Sequence, residues 1–598
     1  MKVALAQLDV KAGDPELNIQ NMLNMIEEAK ENNADIIAFP EMCIGGYFVG
    51  DSWLEDRWLL KLEKANEIME KASSNITIIY GNIAVDWNKR GFDGRPVKYN
   101  AAHIVHNGHR QWEAKTLLPN YRIFDDKRYF TPRPEGERTL FDIKGQKGGV
   151  VICEDMWSND YDTDPVIELL EAGADFIVNI SASPWTYGKN SSRDKQIQIL
   201  EKKVGKLAPF FYVNNVGVQN NGKNIITFDG DSSFYLNGKK QDQYLLEAYQ
   251  EGIIYIDSEA PLEYKQSPTP TKIEQKYKAI IRGIQGLDEL LGTWNPNFVI
   301  GLSGGADSSL VAALMVHALG SERIKGYNLP SRYNSNKTKS AAAELASHLG
   351  ISCDTIPIEA MVEVNRQLLL TNTTELTPLV EENIQAKIRG TSLLSNLAAI
   401  HNGLMTNNGN KLEMALGYAT LYGDVNGAIA PIGDLTKEEV FEMCHYINRD
   451  GIIIPTSLLP DDNYDFVIPP SAELKEDQRD PIKFGYHDLL IEKLMDYKKA
   501  SPELIMTWYQ EGKDSFCKHL QMNPKFYEMY KLGNPNIFVN DLTWFVRTMR
   551  TSIFKRIQAP PIILLSKTAF GYDLRESQFP WKETQEFRSL KNLIIGEI

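Results

Sequence analysis

The chain has 598 residues, 43% hydrophobic and 24% charged, with 42 glycines and 28 prolines; this is a globular composition and excludes collagen-like, low-complexity and wholly disordered chains. Its 64 Lys and Arg against 79 Asp and Glu give a formal net charge of −15, which disfavours a general binder of nucleic-acid backbones. At this length more than one hydrophobic core is expected.

From the N-terminus, strand and helix patterns alternate. Residues 2–8 alternate like a strand, 17–30 carry Leu17, Met22, Met25 and Ile26 at helical spacing, and 35–39 read as strand again. The stretch 33–39 is echoed by 173–179, each after a helical segment, which implies related helix-turn-strand units in one α/β layer structure. Residues 258–272 hold Pro261, Pro268 and Pro270 with little apolar periodicity and read as an extended connector. The expected organisation is therefore a domain over 1–257, a linker over 258–272 and a second domain over 273–598. In the second, 276–291 read as a helix, 297–302 as a buried strand and 308–319 as a helix, so it opens strand-loop-helix. Beyond about Ser577 there is no chemical motif.

Five scattered cysteines, Cys43, Cys153, Cys353, Cys444 and Cys517, with no C-x-x-C pair, argue against a disulfide scaffold or structural zinc site, and a reducing cytoplasm is the expected location. No apolar run reaches the roughly 18 residues that a bilayer span needs, so neither secretion nor membrane insertion is expected.

Val150, Val151 and Ile152 run directly into Cys153-Glu154-Asp155-Met156-Trp157, placing a thiol at a strand end. Alone, such a cysteine is most often a small buried hydrophobe, and a solvated strand-end pair is the bland alternative for Glu154 and Asp155. Two further features change its context. Glu41 follows Phe39-Pro40 just past another strand, and Lys115 precedes a loop containing Pro119. A thiol is mostly protonated at neutral pH, so attack on a carbonyl needs a base, and the oxyanion that forms needs a cation or N–H donors.

Together these motifs resemble the nitrilase superfamily, which implies a four-layer α-β-β-α sandwich with Glu41 as general base, Lys115 as oxyanion partner and Cys153 as nucleophile. The blocks 115–130, 153–157 and 179–184 are similar to its glutamine-hydrolysing subgroup, in which Tyr121, Glu154, Ser183 and Lys189 would contact glutamine. Asp126 stands where these relatives usually have Glu.

The second cluster is Gly301-Leu302-Ser303-Gly304-Gly305-Ala306-Asp307-Ser308, a Ser/Gly-rich turn between a buried strand and a helix. Backbone N–H groups of such a turn approach oxyanions closely, and the helix N-terminus adds a positive dipole end. The spacing is neither a Walker loop nor a Rossmann fingerprint. S-G-G-x-D-S resembles the ATP pyrophosphatase loop family, and the blocks 381–390, 409–413, 417–424, 431–435, 469–474 and 554–561 resemble NAD+ synthetase, implying a doubly wound parallel-sheet nucleotide-binding domain. By that resemblance residues 301–308 and Asn408 bind ATP, Asp307 and Glu413 hold Mg2+, and Asn383, Glu413 and Lys555 contact deamido-NAD+. Asn408 replaces a usual Thr and Leu412 a common Ser. Alone, Lys555-Arg556 would read as an exposed basic turn.

The whole chain thus resembles the glutamine-dependent NAD+ synthetase family. The resemblance implies a ligase that amidates deamido-NAD+ at the expense of ATP, with Mg2+, through an adenylated intermediate and with ammonia channelled from glutamine. Its partners would be small-molecule substrates and further copies of itself, with no nucleic acid and no membrane. Two other readings stay open: an amidase fused to a unit adenylating another carboxylate or a tRNA base, and a nucleotide-sensing scaffold without catalysis.

Overall fold

The computed structural model describes residues 1–91, 93–257, 270–461, 463–468, 474–475, 481–496, 499–571 and 576–596. They form two compact units, 1–221 with 225–270, and 222–224 with 271–598.

The first unit is built on two six-stranded sheets. One contains β1 (Lys2–Gln7), β2 (Ile36–Ala38), β3 (Thr77–Arg90), β4 (Pro96–His106) and β5 (His109–Ala114). The other contains β6 (Leu140–Ile143), β7 (Gln146–Ile152), β8 (Phe176–Ser181), β9 (Phe210–Asn214), β10 (Ser233–Leu236) and β11 (Lys239–Lys240). β12 (Gly252–Asp257) returns to pair antiparallel with β1 and completes the first sheet.

Val3, Leu5, Ile36, Ile79 and Ile104 of the first sheet bury against Ile152, Phe176, Val178, Ile180 and Phe211 of the second. Each strand sends alternate side chains to this inner layer. The outer face of the first sheet carries α1 (Pro15–Glu31) and α2 (Asp56–Ala72). On the second, α3 (Pro165–Glu171) and α4 (Lys189–Val204) pack Val166, Leu169, Ile197 and Leu200 over Val151, Ile177 and Phe210. This is the expected four-layer α-β-β-α sandwich.

In the second unit α5 (Lys272–Leu290) precedes β13 (Asn297–Gly301), α6 (Ala306–Leu319), β14 (Ile324–Asn328), α7 (Asn336–Leu349) and β15 (Ser352–Thr355). Two helices, α8 (Glu359–Leu370) and α9 (Pro378–Lys387), lead toward β16 (Gly403–Met405). All pairings are parallel and the spatial order is β15-β14-β13-β16. The chain therefore reverses its winding direction between β13 and β16, and in open α/β sheets the crevice at the carboxyl ends of such strands is where ligands bind.

Several boundaries differ from the sequence reading. The second helix of the second unit starts at Ala306, so Asp307 and Ser308 sit in its first turn and not in the loop. The helix expected over 276–291 begins at Lys272, because the Thr271 side chain accepts from the Glu274 N–H and caps it. The connector read over 258–272 lies outside the described residues up to 269, as do 469–473 of the 469–474 block.

Gly81 on β3 has a specific structural task. Its N–H donates to Pro40 O at 3.1 Å, and an added Cβ would lie 2.3 Å from Met42 N and 2.5 Å from Glu41 Cα. The backbone carrying Glu41 rests on this glycine. Gly81→Ala is predicted to lower the unfolding free energy by about 1–3 kcal/mol, measured by urea denaturation; an unchanged stability would contradict the contact.

Candidate active sites

In the first unit three strand ends converge. Glu41, 1% exposed, lies beyond β2; its Oε1 accepts from Lys115 Nζ at 2.8 Å and Asn100 Nδ2 at 2.7 Å, and its Oε2 from the Ala182 N–H at 2.9 Å. Lys115 directly follows β5 and is equally buried. Its ammonium also donates to Asp126 Oδ2 at 2.7 Å, and Asp126 accepts a short hydrogen bond from the Tyr47 hydroxyl. Burial opposes the Lys115 charge, but the carboxylates of Asp126 and Glu41 outweigh it and hold the ammonium well above its ordinary pKa.

Cys153 follows β7 directly, with a left-handed φ of +44°. For a non-glycine residue this conformation costs about 1–3 kcal/mol and persists only where the surroundings enforce it. The thiol is pushed up by burial and by the Glu41 charge, with Lys115 opposing. Such a setting favours the neutral thiol, so any attack by its sulfur would need a base to take the proton.

Of the expected glutamine contacts, Tyr121, Glu154 and Lys189 lie within electrostatic reach of the same thiol. Tyr121 donates to both Glu154 oxygens at 3.0 Å, and Tyr161, which the sequence reading did not single out, donates to Oε1 at 3.0 Å. Lys189, the first residue of α4, lies 4.4 Å from the centre of the Trp157 ring. Burial lowers its pKa against the charges of Cys153 and Glu154. Ser183 is fixed by Asn214, whose Oδ1 accepts its N–H at 2.8 Å. Glu154 and Asp155 are not a solvated pair: both are buried, and burial raises both carboxyls, Asp155 to about 7.

In the second unit a cavity of about 470 Å³ lies at the winding reversal. Residues 301–308, Asn383, Asn408, Glu413 and Lys555 all line it. Gly304 has φ +79°, and a Cβ there would sit 2.0 Å from Thr338 O, so only glycine lets the turn approach α7. Ser303 Oγ bridges to Ser308 Oγ at 3.1 Å, and Asn408 Nδ2 donates to Gly301 O at 2.9 Å, tying the end of β13 to the segment after β16.

Asn410 organises the acidic side of this cavity. Its side chain accepts from the Leu412 and Glu413 N–H groups at 3.0 and 3.2 Å, while Glu413 Oε2 accepts the Asn410 N–H at 3.2 Å. This reciprocal capping fixes Glu413, and Asn410 Nδ2 reaches Asp307 Oδ1 at 3.3 Å. Burial and the Asp307 charge push the Glu413 carboxyl up to about 8, with Lys437 opposing. Two repelling carboxylates facing this cavity form a hard-oxygen donor set that fits Mg2+. Lys437, absent from the sequence reading, forms a short ion pair with Asp307. Leu412 is fully buried and does not line the cavity. Lys555 and Arg556 are not an exposed basic turn either. Lys555 Nζ donates to Gly417 O and Ala419 O, both at 2.7 Å, and Arg556 is 5% exposed.

The carbon-nitrogen hydrolase family model matches residues 2–237 and the NAD synthase model matches 288–523. A glutamine-dependent NAD(+) synthetase of Synechocystis is 33% identical, with 95% of this chain and 97% of the relative covered. One of Xylella fastidiosa Temecula1 is 30% identical over 97% and 98%. Among solved structures, the Acinetobacter baumannii glutamine-dependent NAD+ synthetase in complex with ADP superimposes with a TM-score of 0.69 at 26% identity, covering 96% of this chain and 97% of that one. The Cytophaga hutchinsonii structure, at 21% identity and 99% coverage of both chains, shares the fold with a TM-score of 0.74.

The Lys115 geometry generates a stability prediction. Lys115→Met leaves Glu41 and Asp126 buried without their cation and is predicted to cost about 3–5 kcal/mol near neutral pH. The remaining carboxyls then bind protons more tightly folded than unfolded, so the deficit shrinks as pH falls from 8 to 5. Urea denaturation at both pH values checks this, and a deficit independent of pH would contradict it.

Proposed function

The chain belongs to the glutamine-dependent NAD(+) synthetase family, and on that premise we propose that its first unit frees ammonia from glutamine at Cys153 and its second uses that ammonia to amidate adenylated deamido-NAD+. The observation that carries the reading is the buried Glu41–Lys115 pair, whose charges both act on the Cys153 thiol.

Glu41 removes the Sγ proton as sulfur attacks the glutamine side-chain carbonyl, and Lys115 meets the oxyanion in a site closed to water, an effect worth about 3–4 kcal/mol per donor. Collapse breaks the C–N bond, and the proton on Glu41 passes to the leaving nitrogen, giving neutral ammonia and a thioester. Glu41 then takes a proton from water, the thioester is hydrolysed, and glutamate leaves as the thiol is restored. Glu154, held by Tyr121 and Tyr161, is an acceptor for the glutamine α-ammonium, and Lys189 pairs with the α-carboxylate.

In the second unit the N–H groups of 301–308 and the first turn of α6 bind the ATP phosphates, supported by Asn408. Asp307 and Glu413 would hold Mg2+, which neutralises the pyrophosphate that leaves. Asn383, whose Oδ1 accepts from Thr420 Oγ1 at 2.9 Å, and Lys555 border the same cavity as deamido-NAD+ contacts. The nicotinate carboxylate attacks the α-phosphorus and releases pyrophosphate; ammonia then displaces AMP to give NAD+. Free ammonia in water is mostly ammonium, which has no lone pair, so a dry passage between the reactions preserves it. Self-association and a cytoplasmic setting belong to the same reading. No helix among the described residues is long and apolar enough to cross a membrane.

Cys153→Ala is predicted to abolish glutamine-supported NAD+ formation and leave synthesis from added ammonium salt, assayed as AMP release dependent on deamido-NAD+. Loss of both would argue against divided labour. Asp307→Ala is predicted to remove both activities, and an active variant would refute its place in the ATP site.

A further inference from the structure

Asp155 takes no part in the steps above, yet it is 1% exposed and its carboxylate is fully engaged by backbone donors. Oδ1 accepts from the Thr116 and Leu117 N–H groups at 2.9 and 2.8 Å, and Oδ2 from the Ile152 N–H at 3.1 Å. Thr116 and Leu117 directly follow Lys115, and Ile152 directly precedes Cys153. One side chain therefore holds the peptide groups flanking two separate reacting groups.

The surrounding contacts leave that side chain with a distinct task. The Lys115 backbone is anchored on its other side, its N–H donating to Asn100 O at 2.8 Å and its carbonyl accepting the Arg133 N–H at 3.0 Å. The Thr116 hydroxyl accepts from Arg138 at 2.8 Å. None of these bonds reaches the Cys153 turn. The left-handed φ of Cys153 is a conformation that a cysteine would leave if released. Hydrogen bonds from three N–H groups to an ionised or shared carboxylate are strong and directional, and they fix both segments to one point.

We infer that Asp155 is a positioning residue that sets the spacing between the Cys153 thiol and the Lys115 ammonium by clamping the peptide before the nucleophile to the peptides after the lysine. The inference rests on the proposed glutaminase chemistry of Cys153. An asparagine at 155 keeps the shape and can still accept from Thr116 and Leu117, but it turns an NH2 toward the Ile152 N–H and releases the cysteine turn. An alanine frees all three donors.

The test compares full-length wild type, Asp155→Asn, Asp155→Ala and Cys153→Ala. It measures kcat and KM for glutamine-supported NAD+ formation, the ammonium-supported rate and the melting temperature. Misplacing a reacting group by an ångström costs up to about 100-fold in rate. Asp155→Asn is therefore expected to lower the glutamine-supported kcat by about 10- to 100-fold with KM changed less than about threefold. Its ammonium-supported rate is expected to stay within about twofold, and Asp155→Ala to lose more kcat than Asp155→Asn. A glutamine-supported kcat within about twofold of wild type in Asp155→Asn overturns the inference. So does parallel loss of both activities or failure of both variants to fold, which would make Asp155 a folding residue only. If instead Cys153→Ala keeps glutamine-supported synthesis, it is the reading of Cys153 that fails.

Discussion

An ammonium ion buried between two carboxylates is the constraint around which the first unit is arranged. Lys115 is flanked by Glu41 and Asp126 in a region almost without solvent, where unpaired charge is expensive and burial raises the Asp126 carboxyl. Neutral donors complete the balance: the Asn100 amide and Ala182 N–H on Glu41, and the Tyr47 hydroxyl on Asp126. Burial first, and then the Glu41 charge, push the Cys153 thiol toward its protonated form. A resting thiolate would add a further negative charge to the same pocket, which is why the proposed attack is coupled to proton transfer onto the Glu41 carboxylate already bound to Lys115.

The second unit handles charge in the opposite sense. Reversal of strand order between β13 and β16 opens a crevice at their carboxyl ends, and the start of α6 turns its N–H groups into it. Such a crevice attracts polyanions, yet Asp307 and Glu413 face it as well. Lys437 offsets part of their repulsion, and Glu413 is still driven toward its protonated form. A cation supplied with the phosphates would relieve what Lys437 leaves uncompensated.

The fold class was legible because continuous apolar strands, helical spacing and the strand-loop-helix at 297–319 are local patterns. The gathering of Glu41, Lys115 and Cys153 was reached through motifs resembling a known family, since nothing in their separate spacing requires them to meet. Other site members were missed for physical reasons. Lys437 follows a capping threonine and precedes Glu438 and Glu439, which reads as an ordinary charged first turn of the helix Lys437–Ile447. Asp126 was legible only as standing where relatives of that family usually have Glu; it begins the short helix Asp126–Tyr129, whose polar composition suggests a surface turn, while the fold carries it inward to Lys115. Asp155 and Tyr161 act through bonds to distant backbone or to Glu154, and such contacts leave no periodic mark in a sequence.

In the proposed glutaminase chemistry Cys153 Sγ is the atom that takes the acyl group of glutamine. The most direct measurement treats the full-length protein with a glutamine analogue bearing an electrophilic diazoketone and maps the adduct by peptide mass spectrometry. The account predicts a single adduct on the peptide containing Cys153, formed as glutamine-supported synthesis is lost while ammonium-supported synthesis continues. An adduct on another nucleophile accompanying the same loss would contradict it.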